Sequence, residues 1–277
     1  MKKILYLIIS FLTISCIDDV KLDLKENTEQ LVIDASINWF KGNDGKQQKI
    51  VLTKSTNFYE YSVPTVSGAK VQINDDLGNL YIFVDSKKNG EYLCSNFKPE
   101  INKKYFLTII YKNESYISEA ILQKTPAIED IIQKEEGGVF GQSLEVKPYF
   151  QDNIDEENYY MFRFKKRKVN LQPDYQVIRD RFFNGNKGFG IFSEDSDKAS
   201  EKLVKGDTLN IQFYGIDKRN YEFLNKLFEQ IGNGGGNPFS TVPTNSVGNI
   251  INTTNSENFA YGYFRLSEVD EVNYVVK

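Results

Sequence analysis

The chain has 277 residues, 34 Lys and Arg against 38 Asp and Glu, two Cys, one Trp and no His, for a formal net charge of −4. Without imidazole there is no Ser-His-Asp or Cys-His nucleophile pair, no His-ligated zinc or haem, and no side chain whose ordinary titration falls near neutral pH. Aromatic residues at 14%, with 20 Phe and 17 Tyr beside seven Pro, are the composition of strands rather than helices, and the length fits two modest domains.

Lys2 and Lys3 precede an apolar run from Ile4 to Ile14, interrupted by Ser10 and Thr13 and ending at Ser15-Cys16. This is signal-peptide anatomy. At 1.5 Å per residue the run covers about half of a ~30 Å hydrocarbon core, so residues 1–15 are expected to be a signal rather than a membrane span. A small residue directly before a Cys resembles the lipobox of bacterial lipoproteins, which makes Cys16 the expected lipid-attachment site. Thr13 stands where the common pattern has Leu, and an ordinary secretory signal with a nearby Cys is the alternative. Asp18 and Asp19 then resemble the short acidic signal that sends Bacteroidota lipoproteins to the outer face of the outer membrane, although acidic residues also suit a solvated tether. Residues 16–30 are polar enough to be that tether, reaching at most ~45 Å if extended.

Removing residues 1–15 takes away Lys2 and Lys3 and leaves 32 basic against 38 acidic residues, a net of −6. An acidic body is a poor match for nucleic acid, so no nucleic-acid partner is expected. Cys94 is then the only free thiol, and its strand-like setting between Leu93 and Ser95 reads as a small core residue.

From residue 31 to 125 the chain reads as strands cut by turn chemistry. The candidates are Gln30 to Trp39, Lys49 to Ser55, Ala69 to Asn74, Leu80 to Asp85, Gly90 to Ser95, Tyr105 to Lys112 and Tyr116 to Leu122. Asn, Asp and Gly cluster between them, as at Gly42-Asn43-Asp44-Gly45 and Asp75-Asp76-Leu77-Gly78-Asn79, and supply hairpin turns. Seven strands in such a length predict a sandwich of immunoglobulin or transthyretin type. Alternation puts Val71, Ile73, Tyr105, Leu107 and Ile109 on one face and Lys70, Gln72 and Thr108 on the other.

Val66-Ser67-Gly68-Ala69-Lys70-Val71-Gln72-Ile73, then Gly78-Asn79, Gly90-Glu91-Tyr92 and Lys104-Tyr105-Phe106-Leu107-Thr108-Ile109 resemble the transthyretin-like or carboxypeptidase-regulatory-like sandwich. With the signal and the second half, the mature chain resembles a Bacteroidota family of surface lipoproteins of unknown function, usually encoded beside a TonB-dependent outer-membrane receptor. That resemblance implies an outer-membrane location facing the exterior and a receptor as partner.

Thr125-Pro126 marks the expected boundary, because Pro ends a strand and biases the residue before it to extended geometry. Residues 126–277 are expected to form a β-rich C-terminal domain with one helix and long loops. Its landmarks in the resembled family are Phe150-Gln151-Asp152 to Asn158-Tyr159-Tyr160, Gly206-Asp207-Thr208, Ile216-Asp217 with Tyr221, and Ala260 to Phe264. Tyr175 to Ser200 matches poorly and reads as a variable excursion. The spacing of Tyr221, Leu224, Phe228 and Ile231 predicts an amphipathic helix over about 217–231, capped by Asp217. Beyond it, the Gly-rich stretch around Asn237, Pro238 and Phe239, continuing past Asn245 to Asn249, is the expected partner-facing loop.

Candidate chemistry is thin. Asp152, Asp155, Glu156 and Glu157 lie within six residues and could offer oxygen ligands to a hard cation, but no Gly pivot or EF-hand spacing accompanies them and a solvated acidic loop is the plainer reading. Lys165-Lys166-Arg167-Lys168 resembles a small basic patch, though such runs more often guard a strand edge. Trp39, Tyr59, Tyr61 and Phe239 could stack on sugars or fill the core. Thr208 in Asp207-Thr208-Leu209 fits a short Bacteroidota O-glycosylation pattern and equally a strand start. The expectation is a non-enzymatic protein with no catalytic, metal or cofactor site, acting as a capture module or lid for a TonB-dependent receptor that takes up an extracellular nutrient. A free-standing glycan-binding or adhesion sandwich is the alternative, and a carboxylate-dependent glycoside hydrolase the remote one.

Overall fold

The structure, a computed structural model, describes residues 29–56, 62–137, 141, 143–167, 171–194, 201–232 and 248–277. The fold is mainly β, with a single α-helix among the described residues. Seven strands fill the first half: β1 (Leu31–Phe40), β2 (Gln48–Lys54), β3 (Lys70–Asp75), β4 (Leu80–Phe83), β5 (Glu91–Cys94), β6 (Lys104–Tyr111) and β7 (Glu114–Gln123). The alternation predicted for them holds. Val71, Ile73, Tyr105, Leu107 and Ile109 are buried while Lys70 is exposed, as expected of sheets with one face on a core. Cys94 is buried among these strands, and that burial raises its thiol pKa.

The first half does not complete its own sandwich. The last strand of the chain, β16 (Tyr261–Val275), returns to lie parallel beside β1, from Val32↔Tyr261 to Phe40↔Val269. It also pairs with β7 at Leu266↔Leu122 and Ser267↔Gln123, and the short β15 (Ile251–Asn252) lies antiparallel on β7 at Ile251↔Ile117. At the opposite side, Val84 and Leu93 exchange two backbone hydrogen bonds of 2.9 and 3.0 Å and join β4 to β5. Strands β1-β2-β5-β4-β3-β6-β7-β16 thus run in a nearly closed ring, and closing a sheet on itself removes the unpaired edges that invite aggregation. Ile250, Ala260, Phe264 and Leu266 from the far end of the sequence share one core with Ile33, Ile37, Ile73 and Tyr105.

The second half is layered. Strands β8 (Ile128–Gly137), β9 (Ser143–Gln151), β12 (Lys187–Phe189) and β13 (Phe192–Ser193) make a small sheet. It faces β11 (Asp174–Arg179), β10 (Tyr159–Lys166), β14 (Thr208–Ile216) and the C-terminal half of β16, which pairs with β14 from Thr208↔Val275 to Tyr214↔Val269. Between the layers lies an aromatic core in which Phe162 and Phe213 stack at 4.2 Å and Phe150 stands 4.5 Å from Phe213. Helix α1 (Lys218–Gly232) covers the other face, where Tyr221 and Leu224 pack on Tyr159, Met161, Tyr214 and Val269. Buried on both sides, β10 and β14 show near-continuous burial instead of alternation. Asp217 caps the helix as expected, its carboxylate accepting from Asn220 N at 2.7 Å.

The described part of the Tyr175 to Ser200 stretch, through Glu194, is more regular than expected of an excursion, since β12, β13 and all but the first residue of β11 fall inside it and pair with β9 and β10. Thr125, placed at the boundary from its Pro126 neighbour, is buried and fixed. Its hydroxyl donates to Glu268 O at 2.5 Å and accepts from Gly215 N at 2.6 Å. The two halves are therefore knitted together at the crossover by β14 and β16.

Candidate functional site

Strands β1, β7 and β16 run parallel, so β1 and β7 end on the same side of the ring. There they meet the start of α1 and the β9–β10 connection. The result is a cleft of about 710 Å³ between the two halves, within the range of roughly 300–1,000 Å³ typical of small-ligand sites, which favour such junctions. Lys41 follows β1, Lys124 follows β7, Lys218 opens α1, and Asp152, Asn153, Glu156, Glu157 and Asn158 come from the β9–β10 connection. Thr125, Tyr159, Tyr160 and Ile216, all buried, supply its floor.

Several of these groups are held in place by one another. The Tyr160 hydroxyl donates to the Asp152 carboxylate at 2.5 Å, and Gly185 N donates to its other oxygen at 3.0 Å. Burial, reinforced by Asp152, raises the Tyr160 pKa. Tyr159 donates to Glu157 at 2.6 Å, and burial together with that carboxylate pushes its phenol up to about 12. The same hydrogen bond leads in holding Glu157 below the usual carboxylate range, with Arg179 adding to it. Asn158 N donates to the buried Asp180 carboxylate at 2.6 Å, yet burial dominates and raises the Asp180 pKa.

The acidic cluster read from sequence thus separates into different tasks. Asp152 and Glu157 brace the tyrosines, while Glu156 is exposed on the cleft rim. Among the described residues no group of three or more Asp, Glu or Cys side chains is placed to hold a metal ion. The basic run also divides: Lys166 turns inward onto Glu194 at 2.5 Å and Arg167 bonds Asn273 at 2.9 Å, while Lys168 lies outside the described residues. Trp39 packs against the first core and donates its indole N–H to Asn43 O at 2.9 Å. Thr208 opens β14, half-buried.

Cys16, Asp18, Asp19, Tyr59, Tyr61, Asn237, Pro238, Phe239 and Asn245 lie outside the described residues. Asn249, grouped with the partner-facing loop on the sequence, is a correction. It is buried, its amide donates to Phe264 O at 2.7 Å and its side-chain oxygen accepts from Phe264 N at 2.8 Å, so it locks the chain onto β16 and offers a partner nothing.

Sequence reasoning missed Lys41, Lys124 and Lys218, which stand 83 and 94 positions apart in the chain. Their only local signature is a Lys directly after an element ends or at the first position of a helix, and strand register brings them together. A second surface was also missed. On the outward face of β4, β3, β6 and β7, Leu80, Ile82, Phe106, Ile110, Ile117 and Ile121 are 37 to 58% exposed, interleaved with Gln72 and Thr108 through the pairings Gln72↔Ile82 and Thr108↔Ile117.

A family model described as "Domain of unknown function (DUF4249)" matches residues 17–272. No curated protein matches the chain. Among solved structures, a DUF4785 family protein from Legionella pneumophila is similar at 10% identity and a TM-score of 0.25, over 67% of this chain and 52% of that one, so this chain spans about half its length. A segment of two fibronectin type III domains from chicken tenascin is similar at 8% identity and a TM-score of 0.21, over 68% of this chain and 91% of that one.

Proposed function

Since the chain belongs to the DUF4249 family of domains of unknown function, we propose, from its own residues, that it is a lipid-anchored capture module or lid on the outer face of the outer membrane, serving a TonB-dependent receptor. The observation that carries this reading is the polarity of the molecule. The stretch ending in Ser15-Cys16 and the acidic tether precede β1, while the junction cleft opens at the other end of that ten-residue strand, on the order of 30 Å away at ~3.3 Å per residue. A tether at Leu31 holds the cleft away from the headgroups and leaves it open to the medium.

The outward face of β4, β3, β6 and β7 supports the receptor half of the reading, because its six exposed apolar side chains, alternating with Lys70, Gln72, Lys104, Thr108 and Glu119, offer a mixed apolar and charged surface of the kind that protein contacts use. Crosslinked outer membranes carrying the C-terminally tagged chain, compared with Cys16→Ser, test the proposal. One TonB-dependent receptor recovered with the wild type and lost with Cys16→Ser is the expected result. Wild-type protein exposed on the surface with no receptor attached would leave only a free-standing binder.

A further inference from the structure

The junction cleft is lined by charges of both signs. Lys41, Lys124 and Lys218 line it, with Asp217 beside Lys218 engaged in capping Asn220 N. Among the described residues no carboxylate lies within 4.0 Å of Lys124 or Lys218, and Lys41 reaches Glu268 only at 4.0 Å. The β9–β10 connection also lines it, where Asp152 is committed to Tyr160 and Gly185, and Glu157 to Tyr159 and Arg179, with Lys218 adding a weaker electrostatic pull on Glu157. That leaves Glu156 as the exposed carboxylate of the lining with no side-chain partner among the described residues.

Asn102, Gln123 and Asn153 add side-chain amides to the lining. Gln123 spends one donor on Ile121 O at 3.2 Å, and Asn153 accepts from Asp155 N at 3.4 Å. Each amide keeps further donor or acceptor capacity. A ligand that answers all of this carries an anionic end, a cationic end and groups between them that both give and take hydrogen bonds. A neutral sugar leaves both ammonium groups unanswered, and a phosphate compound places its charge against Glu156. A peptide with free termini matches the whole arrangement, and capture of chain termini is a recurring mode of peptide recognition.

We propose that the cleft binds a short zwitterionic peptide, with its carboxylate on Lys124 and Lys218, its ammonium on Glu156 and its peptide groups on the side-chain amides. This rests on the reading of the protein as a capture module and names the class of its cargo.

The full-length chain, solubilised from outer membranes in detergent, is titrated calorimetrically with tetra-alanine, with its N-acetylated and C-amidated forms, and with maltotetraose. Tetra-alanine should bind, and blocking either terminus should weaken it about tenfold, the factor set by ~1.4 kcal/mol. The double variant Lys124→Ala/Lys218→Ala should show the same loss with the free peptide and no further loss with the amidated one. Its melting temperature should not move, because both side chains are exposed. Glu156→Gln should likewise become indifferent to acetylation. Equal affinity for the free, the acetylated and the amidated peptide, or binding of maltotetraose without tetra-alanine, overturns the proposal. The receptor pull-down is a separate readout, so a recovered receptor with no peptide binding removes the cargo assignment alone, and peptide binding with no receptor removes the accessory role alone.

Discussion

Gly215 sets how closely the two halves approach. A Cβ added there would stand 2.0 Å from Lys124 O, inside the backbone of the crossover, and neither side can yield without breaking the Thr125 hydroxyl bonds to Gly215 and Glu268. Gly215→Ala should lower stability by about 1–3 kcal/mol, the usual cost of overpacking, read as a fall in the denaturant midpoint. A residue-level pH effect belongs to the buried group Asp75, Lys103 and Tyr81. Burial by itself would raise the Asp75 pKa, but its bonds from Asn79 and Lys103 outweigh that and hold it below the ordinary value of 3.8. A carboxyl lowered on folding stabilises the protein above its unfolded pKa, and that stability is lost as pH falls through the folded value. Tyr81 behaves oppositely. Burial and Asp75 push it up to about 12, so its contribution is complete below pH 10 and is lost as pH rises toward 12. Asp75→Asn should flatten the acid limb of a stability-against-pH curve, and Tyr81→Phe the alkaline limb. Unchanged limbs in both variants would refute the assignment.

At the scale of elements, the first seven strands and the helix were legible because their signals are local. Turn residues punctuate strands of period two, and Asp217 with the Tyr221 and Leu224 spacing defines the helix start. Losing that cap in Asp217→Ala should cost about 1 kcal/mol, measured by thermal unfolding. The sequence could not convey which strands share a sheet. Tyr261 to Val275 reads as a strand, but nothing in its pattern tells that one half pairs with β1 and the other with β14, since pairing partners are 229 residues apart for Val32 and Tyr261. The cleft was illegible for the same reason, because each of its lysines is an ordinary exposed residue until register assembles them. The outward apolar face was half-visible, since Leu80, Ile82, Phe106 and Ile110 occupy the phase opposite to the core residues, where polar side chains normally stand. Replacing Ile82 and Ile117 together by Lys should leave the melting temperature nearly unchanged, as surface positions do. It should abolish receptor recovery in the crosslinked pull-down, and undiminished recovery would place the contact elsewhere.

The whole molecule behaves as one unit because a single strand belongs to both cores. Phe264 and Leu266 lie in the first core, Tyr274 in the second, and Val269 beneath the helix. Two halves joined only at Thr125-Pro126 could melt separately, each with its own transition. With β16 shared, unfolding the ring removes the partner of β14, and unfolding the layered half strips Thr125 and Ser267 of their bonds to Gly215. One cooperative calorimetric transition is therefore expected, with calorimetric and van't Hoff enthalpies equal. Deleting residues 259–277 should prevent both halves from folding, because it opens the ring between β1 and β7 and unpairs β14. The informative contrast is a substitution far from the crossover. Phe162→Ala, stacked on Phe213 within the second core, should cost about 3–5 kcal/mol. If the halves are coupled through β16, the transition shifts down as a single peak. A second peak left at the wild-type temperature would mean that the ring stands without its neighbour, and that the cleft between them is a joint rather than a fixed site.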